Sequence, residues 1–188
     1  MRRTPHSANG QGRQPNRDCG GWKGKRPNSL NDVVERRDGQ IYFSDPASKA
    51  VLEPQERGFN GVYHVTPSGN LSLITEKMAR PNWIALTPDG RTLYVADFKQ
   101  KKILAYALGV DGNAPKELVF ISGIDGSPDG LRVAANGNLY IACREICVYS
   151  AAGQCIRTIE FPETPAKCAF GGAGLRFHHG GSEDARGT

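Results

Sequence analysis

The sequence predicts an all-β fold built of β-propeller blades. Short runs of β-branched and aromatic residues alternate with clusters of Pro, Gly, Asp and Asn. Four such runs make one unit, and the unit starts again at positions 31, 82 and 129. Four strands in roughly 40 to 50 residues is the spacing of a propeller blade. A β-sandwich also has regularly spaced turns, but hairpin pairs repeating in register favour the propeller.

The first half of each unit predicts a β-hairpin. Residues 31–45, 82–97 and 129–143 each begin with Asn or Asp, reach an Asp-Gly or Asn-Gly pair seven residues later, and continue into an apolar run containing Tyr. Such pairs supply the positive φ angles that tight turns require, so the flanking runs should pair in antiparallel fashion. The inner strands are expected at Asp32–Val34, Trp83–Leu86 and Gly130–Val133.

The second half of each unit predicts another hairpin, whose two strands flank a turn containing Gly. The paired runs are residues 61–65 with 71–74, 102–108 with 117–121, and 146–150 with 155–161. A fourth copy begins at Pro165, but residues 177–181 do not have the composition of a strand. We therefore divide the chain into a disordered basic tail (1–24), a partial propeller (25–176) and a second disordered tail (177–188).

The net charge of +5 is a property of the N-terminal segment. Residues 1–26 carry seven basic side chains and one acidic side chain, whereas the remainder carries 17 basic and 18 acidic ones. A nucleic-acid-binding role would therefore rest on the tail alone, and we expect no nucleic-acid partner. No apolar run approaches the roughly 20 residues of a membrane-spanning helix, so no membrane association is expected.

The five cysteines are Cys19, Cys143, Cys147, Cys155 and Cys168, and they form no Cys-x-x-Cys pair. Cys143 and Cys147 are four residues apart, but no second pair of Cys or His completes a zinc site. Free thiols in a reducing compartment are the favoured interpretation over a metal or a disulfide. Because no apolar segment follows Arg2 and Arg3, no export signal is recognised, and a cytoplasmic location is expected.

The repeat places Asn31, Asn82 and Asp129 at one structural position. Equivalent positions of successive blades surround the propeller axis, so these side chains should converge at one mouth of the channel. Carboxylate and amide oxygens are ligands of hard cations such as Ca²⁺. The alternative is that Asn and Asp only start strands by bonding to their own backbone.

Four ordered segments carry a resemblance to the senescence marker protein/gluconolactonase (regucalcin-like) family. Residues 25–46 (KRPNSLNDVVERRDGQIYFSDP) resemble its RxNSPND…DGxIYFTDP segment, and residues 80–97 (RPNWIALTPDGRTLYVAD) resemble PNGIALSPDGKTLYVAD. Residues 127–133 (SPDGLRV) and 163–172 (ETPAKCAFGG) resemble its PDGxxVD and ETPxNCAFGG segments. The match covers residues 25–176.

The resemblance implies a six-bladed β-propeller, of which this chain is expected to be a fragment with about four blades present. It also implies a divalent cation, Ca²⁺ or Zn²⁺, on the propeller axis and hydrolysis of a small-molecule lactone. In the family the metal is held by a Glu near the N-terminus, the Asn of PNG and the Asp of PDG; the last two correspond to Asn82 and Asp129. Asp129 would also act as the catalytic residue that helps deprotonate the attacking water. Asn31 corresponds to the family Asn that contacts water or substrate.

The chain departs from the family pattern at three places. The expected Glu lies upstream of Asn31 in the family, but residues 1–24 contain no Glu; Trp83 replaces a Gly; and Lys167 replaces an Asn. The chain is therefore expected to be a partial copy without the N-terminal blade and the C-terminal end, with weak metal binding and little lactonase activity. The competing interpretation is a non-catalytic propeller that serves as a binding or structural module.

Overall fold

The computed structural model describes residues 21–47, 55–171 and 176–181, and these form antiparallel β-sheets. The first blade contains β1 (Val33–Glu35), β2 (Ile41–Asp45), β3 (Gly61–Val65) and β4 (Leu71–Thr75). The second contains β5 (Pro81–Leu86), β6 (Thr92–Asp97), β7 (Lys102–Ala107) and β8 (Lys116–Ile121). The third contains β9 (Leu131–Val133), β10 (Leu139–Ala142), β11 (Ile146–Tyr149) and β12 (Cys155–Ile159). A hairpin of β13 (Pro165–Gly171) and β14 (Arg176–Gly181) follows.

Each four-stranded sheet is an up-and-down meander in which consecutive strands pair. The predicted inner strands β1, β5 and β9 lie in three separate sheets, and each contacts the inner strand of the next blade. This arrangement confirms the all-β propeller prediction, with three complete blades and a hairpin of a fourth in the described part of the chain. That part contains no helix long and apolar enough to cross a membrane.

The Asp-Gly and Asn-Gly pairs make the turns that the sequence predicts. Gly39 and Gly137 have φ angles of 83° and 84°, which only glycine adopts without strain. The amide of Gly39 donates to the carbonyl of Arg36 at 2.9 Å, and the amide of Arg36 donates to the carbonyl of Gln40 at 2.7 Å. The turn thereby fixes the register that pairs Val34 with Tyr42.

The apolar core lies mainly in the seams between blades, because each sheet can bury its faces only against its neighbours. The seam between the first two blades is filled by Tyr42, Val62, Met78, Ile84, Leu93, Val95, Leu104 and Tyr106. The next seam contains Tyr94, Ala96, Ile103, Ile121, Ile124, Leu131, Leu139 and Ile141. A smaller cluster of Ala142, Ile146 and Cys168 joins the third blade to the hairpin.

Polar contacts also join the first two blades. The Arg36 guanidinium donates to the carbonyl oxygens of Gly109 and Val110 at 2.9 and 3.0 Å, and it pairs with Asp38 at 2.7 Å. The Tyr42 hydroxyl donates to the carbonyl of Gly112 at 3.1 Å. These contacts hold the β7–β8 turn of one blade against the β1–β2 turn of the other.

Two terminal segments differ from the predicted tails. Residues 177–181 belong to β14, which pairs with β13 in a register that joins Phe170 to Phe177, so the expectation of coil is wrong there. Strand formation depends on the pairing partner as much as on composition, and β13 provides that partner. At the other end, the backbone amide of Lys25 donates to the carbonyl of Trp22 at 3.1 Å, and an isolated β-bridge pairs these two residues. Residues 1–20 and 182–188 lie outside the described residues.

A buried histidine predicts how the stability of the first blade depends on pH. His64 is 1% exposed and hydrogen-bonds to Gln40 and, at 3.1 Å, to Ser72 Oγ. Burial, with a smaller contribution from the Arg36 charge, lowers the pKa of His64, whereas the charges of Asp111 and Asp38 raise it.

A lowered pKa in the folded state means that the unfolded chain binds the proton more readily. The stability contributed by neutral His64 is therefore fully present above the unfolded pKa of about 6.5 and is lost as pH falls below it. We expect urea unfolding at pH ~5.5 to give a lower free energy than at pH ~8. His64→Gln should reduce this difference; an unchanged difference would assign it to other groups.

Candidate functional site

Asn82 and Asp129 lie where the inner strands of the second and third blades begin. Asn82 is in β5, at an irregularity of register between Pro81 and Ile84. Such bulges redirect side chains next to functional sites. Asp129 directly precedes Gly130 and β9, and its amide donates to the carbonyl of Ala142 at 2.8 Å.

The structure brings these two side chains into direct contact. Asn82 Nδ2 donates to Asp129 Oδ1 at 2.8 Å, and Asn82 is only 7% exposed. Because the amide nitrogen faces Asp129, the other heteroatom of the Asn82 side chain, Oδ1, is an acceptor that can serve a cation or a donor. The contact joins two blades across their seam at the strand entries where the repeat places both residues.

Asn31 occupies the corresponding position of the first blade, but its side chain is exposed. Its amide donates to the carbonyl of Ser44 at 3.0 Å, as that of Asp129 does to Ala142. Among the described residues, no hydrogen bond joins the Asn31 side chain to Asn82 or Asp129. The backbone positions are thus equivalent, whereas the side chain of Asn31 remains available to solvent or ligand.

Asp32 is a second acidic residue at this site, and sequence reasoning did not single it out. It is half-buried, and its Oδ2 accepts a hydrogen bond from the amide of Ile84 in β5 at 2.9 Å. Its charge acts on Asp129. The sequence offered one signal for Asp32. It is an acidic residue that directly follows Asn31, at the entry to β1.

Both carboxylates are less acidic than a free aspartate. Burial raises the pKa of Asp129; the Asn82 hydrogen bond, the Arg80 charge and a hydrogen bond from the Trp83 side chain oppose that rise, and Asp32 adds to it. Burial also raises the pKa of Asp32, against the amide hydrogen bonds and the Arg132 charge. Partial desolvation disfavours the charged form, so a cation that neutralises Asp129 would relieve an existing cost.

Trp83 forms one wall of this site. The Arg132 guanidinium lies 5.0 Å from the centre of the Trp83 ring, a cation–π contact between neighbouring inner strands. The ring packs on the apolar cluster of the second seam, and the interaction of its side chain with Asp129 lowers the pKa of that carboxyl. Trp83 thus stabilises the charged form of Asp129.

Asp129 also lines an open cavity of about 350 Å³ on the side toward the β13 hairpin. Ser127, Cys143 and Arg144 also line this cavity. Next to it, Gly130 packs closely on β13, because a Cβ there would approach the Cα of Lys167 to 2.5 Å. The cavity is large enough for a small polar molecule.

The oxygen atoms at this site fit a hard divalent cation in type but are few. Asp129 supplies a carboxylate and Asn82 an amide oxygen, which are ligands preferred by Ca²⁺. Within residues 21–47, 55–171 and 176–181, no group of three His, Cys, Asp or Glu side chains could hold a metal ion. A cation bound here would therefore take most of its ligands from water or from groups outside this pair.

Comparison with known proteins relates this arrangement to one family. A family model described as an SMP-30/gluconolactonase/LRE-like region matches residues 14–177. The chain belongs to this family. A gluconolactonase from Zymomonas mobilis is 34% identical over 171 residues, which cover 81% of this chain and 48% of the relative.

Solved structures of the SMP-30/gluconolactonase family share the fold. A gluconolactonase from Xanthomonas campestris superposes with a TM-score of 0.79 at 34% identity, covering 86% of this chain and 57% of that one. A calcium-binding protein, regucalcin, from Agrobacterium tumefaciens gives a TM-score of 0.65 at 28% identity, covering 76% of this chain and 49% of that one. The chain thus spans about half the length of the relatives it matches.

Proposed function

We propose that this chain carries part of the active site of a metal-dependent lactone hydrolase of the gluconolactonase type. In this proposal Asn82 and Asp129 are metal ligands, Asp129 is also the catalytic residue, and Asn31 contacts the substrate. The direct hydrogen bond between Asn82 and Asp129 across the blade seam is the observation that carries it. Membership of the family and the gluconolactonase relatives support the choice of reaction.

The proposed chemistry needs no nucleophilic side chain. A divalent cation, when bound, would polarise the lactone carbonyl and lower the pKa of an attacking water. Asp129 accepts the proton of that water through the carboxylate oxygen not bonded to Asn82. The exposed amide of Asn31 orients the lactone. The carbonyl carbon gains the hydroxyl, its bond to the ring oxygen breaks, and protonation of that oxygen completes the hydroxy acid.

The described residues also support weak cation binding by the chain as given. Asp129 offers one formal negative charge at the contact with Asn82, and Asn82 already donates to it. The cavity is open, and water weakens electrostatic attraction by raising the local dielectric constant. We therefore propose affinity for Ca²⁺ or Zn²⁺ and lactonase activity well below those of the Zymomonas gluconolactonase.

Calorimetric titration of the reduced chain with Ca²⁺ and Zn²⁺ tests the ligand assignment. Asp129→Asn keeps the shape but removes the charge, and it should reduce the affinity at least about tenfold, the equivalent of ~1.4 kcal/mol. Glu160→Gln is the matched control, because it removes one charge from an exposed loop. Equal loss of binding in both variants would show that the ion is held only by net charge.

A lactonase assay with and without a chelator tests the reaction, with the Zymomonas enzyme as the positive control. We expect slow, chelator-sensitive hydrolysis that Asp129→Asn abolishes. A chain that hydrolyses lactones as fast as that enzyme would contradict the proposed weak site. A chain that binds neither ion nor lactone would contradict the proposal and would instead be a non-catalytic propeller, the alternative interpretation.

Replacing Trp83 with phenylalanine should strengthen ion binding. The substitution removes the indole N–H, whose interaction lowers the pKa of Asp129, but keeps an aromatic ring against the seam. Removing a donor that competes with a cation for this half-buried carboxylate should improve affinity by about 1 kcal/mol, roughly fivefold. Trp22→Phe is the matched control, since Trp22 contacts Tyr63 in the first blade. Unchanged or weaker ion binding by Trp83→Phe would mean that Trp83 does not compete for Asp129.

A further inference from the structure

The third blade lacks a carboxylate that the first two use to hold their entry loops. Asp45 and Asp97 end the second strands of their blades, and both are fully buried. Asp45 accepts the amide of Ser29 at 2.9 Å, and Asp97 accepts the amide of Ala79 at 2.8 Å. The sequence repeat places Cys143 at the equivalent position of the third blade.

Cys143 instead contacts a second cysteine. Its Sγ lies 3.1 Å from Cys147 Sγ, and the two residues are 3% and 9% exposed. They lie on the β10–β11 hairpin, where Ile141 pairs with Cys147 and Ala142 pairs with Ile146. A disulfide bond is ~2.05 Å long, so the two sulfur atoms need to approach by only about 1 Å to form one.

The open cavity that Asp129 lines leads to Cys143, which forms part of its wall, whereas Cys147 does not line it. The hydrogen bond from Cys147 lowers the pKa of Cys143 to about 7, while that interaction raises the pKa of Cys147. Thiolate is the nucleophile in disulfide exchange. Geometry and access thus assign the attacking role to Cys143 and the resolving role to Cys147.

We propose that Cys143 and Cys147 form a redox-active dithiol, a modification site that closes to a disulfide by exchange with a small disulfide such as oxidised glutathione. The Cys143 thiolate attacks one sulfur of the external disulfide, whose S–S bond breaks and releases one thiolate. Cys147 then loses its proton, its sulfur attacks Cys143, and the second thiolate leaves. Two protein thiols are oxidised while the external disulfide is reduced to two thiols. The proposal does not rest on the lactonase function.

Peptide mapping of the whole chain tests this proposal without any substitution. The reduced protein is equilibrated with oxidised and reduced glutathione, alkylated and digested with trypsin. Cleavage after Arg144 separates Cys143, in residues 133–144, from Cys147, in residues 145–157. We expect these peptides to be linked before reduction and separate after it, with Cys168 alkylated in its own peptide.

Two variants and one denatured control make the test specific. Cys147→Ser should trap glutathione on Cys143 as a mixed disulfide. Cys155 lies in the same tryptic peptide, 145–157, as Cys147, so a linkage that persists in Cys155→Ser must involve Cys147. In urea the fold no longer holds the two sulfur atoms together. The fraction of chains with a Cys143–Cys147 disulfide at the same glutathione ratio should therefore fall about tenfold. Three outcomes would overturn the proposal: both thiols remaining free with excess oxidised glutathione, a linkage that Cys155→Ser removes, or equal linkage in folded and denatured protein.

Discussion

Asp97→Ala is expected to lower the free energy of unfolding by about 3–4 kcal/mol, because four backbone amides would lose their buried acceptor. The Asp97 carboxylate is fully buried and accepts four backbone amides at 2.8 to 3.2 Å, those of Ala79, Arg80, Lys99 and Gln100. Alanine leaves these four loop amides without that acceptor. The loss is a large share of the roughly 5–15 kcal/mol that stabilises a typical domain.

Urea unfolding followed by tryptophan fluorescence measures this effect. Asp97→Asn keeps one oxygen acceptor and should lose less stability than alanine does. Asp89→Ala is the control for removing an acidic turn residue, since Asp89 is exposed and accepts from Thr87 Oγ1 and the Arg91 amide. We expect it to cost much less than Asp97→Ala does, because solvent can replace the contacts of an exposed carboxylate. Equal losses for Asp97→Ala and Asp89→Ala would refute the role of Asp97 as a loop anchor.

Asp45→Ala is expected to be as damaging, for a different reason. The Arg57 guanidinium donates to Asp45 Oδ2 at 2.9 Å, and the two side chains are 1% and 0% exposed. Removing the acid leaves a buried cation whose partner is lost, at a cost of about 3–5 kcal/mol. The amides of Asn28 and Ser29, bonded to Asp45 at 3.0 and 2.9 Å, lose their acceptor as well.

A double-mutant cycle with Arg57→Met separates these causes. The double variant should be more stable than Asp45→Ala alone, because methionine removes the uncompensated charge while packing on the Tyr63 ring that Arg57 covers at 4.8 Å. The stability that the double variant still lacks relative to the unsubstituted protein measures the cost of leaving the amides of Asn28 and Ser29 without their acceptor. Strictly additive losses would show that the ion pair is uncoupled and would contradict this account of Asp45.

The blades and the Asn82–Asp129 contact were accessible from the sequence, because both depend on local periodicity. Asp-Gly and Asn-Gly turns set the hairpins, and equivalent positions of neighbouring blades meet at a seam. Asp32 and Trp83 were harder to place, because a bulge in β5 and side-chain rotamers decide what they face. The Cys143–Cys147 contact depends on the register of one hairpin, which a spacing of four residues does not specify. Strand β14 depends on its partner β13 rather than on its own composition.

In the first two blades an aspartate of the same blade anchors the entry loop, so the loop's geometry is set within a single blade. Asp97 holds the segment before Asn82 from inside the second blade, so that position does not require a closed ring. Only the immediate neighbour is needed to bring Asn82 against Asp129, as in repeat proteins whose units interact with adjacent units alone. Two adjoining blades are therefore the smallest unit in which this contact can be inherited, transplanted or lost.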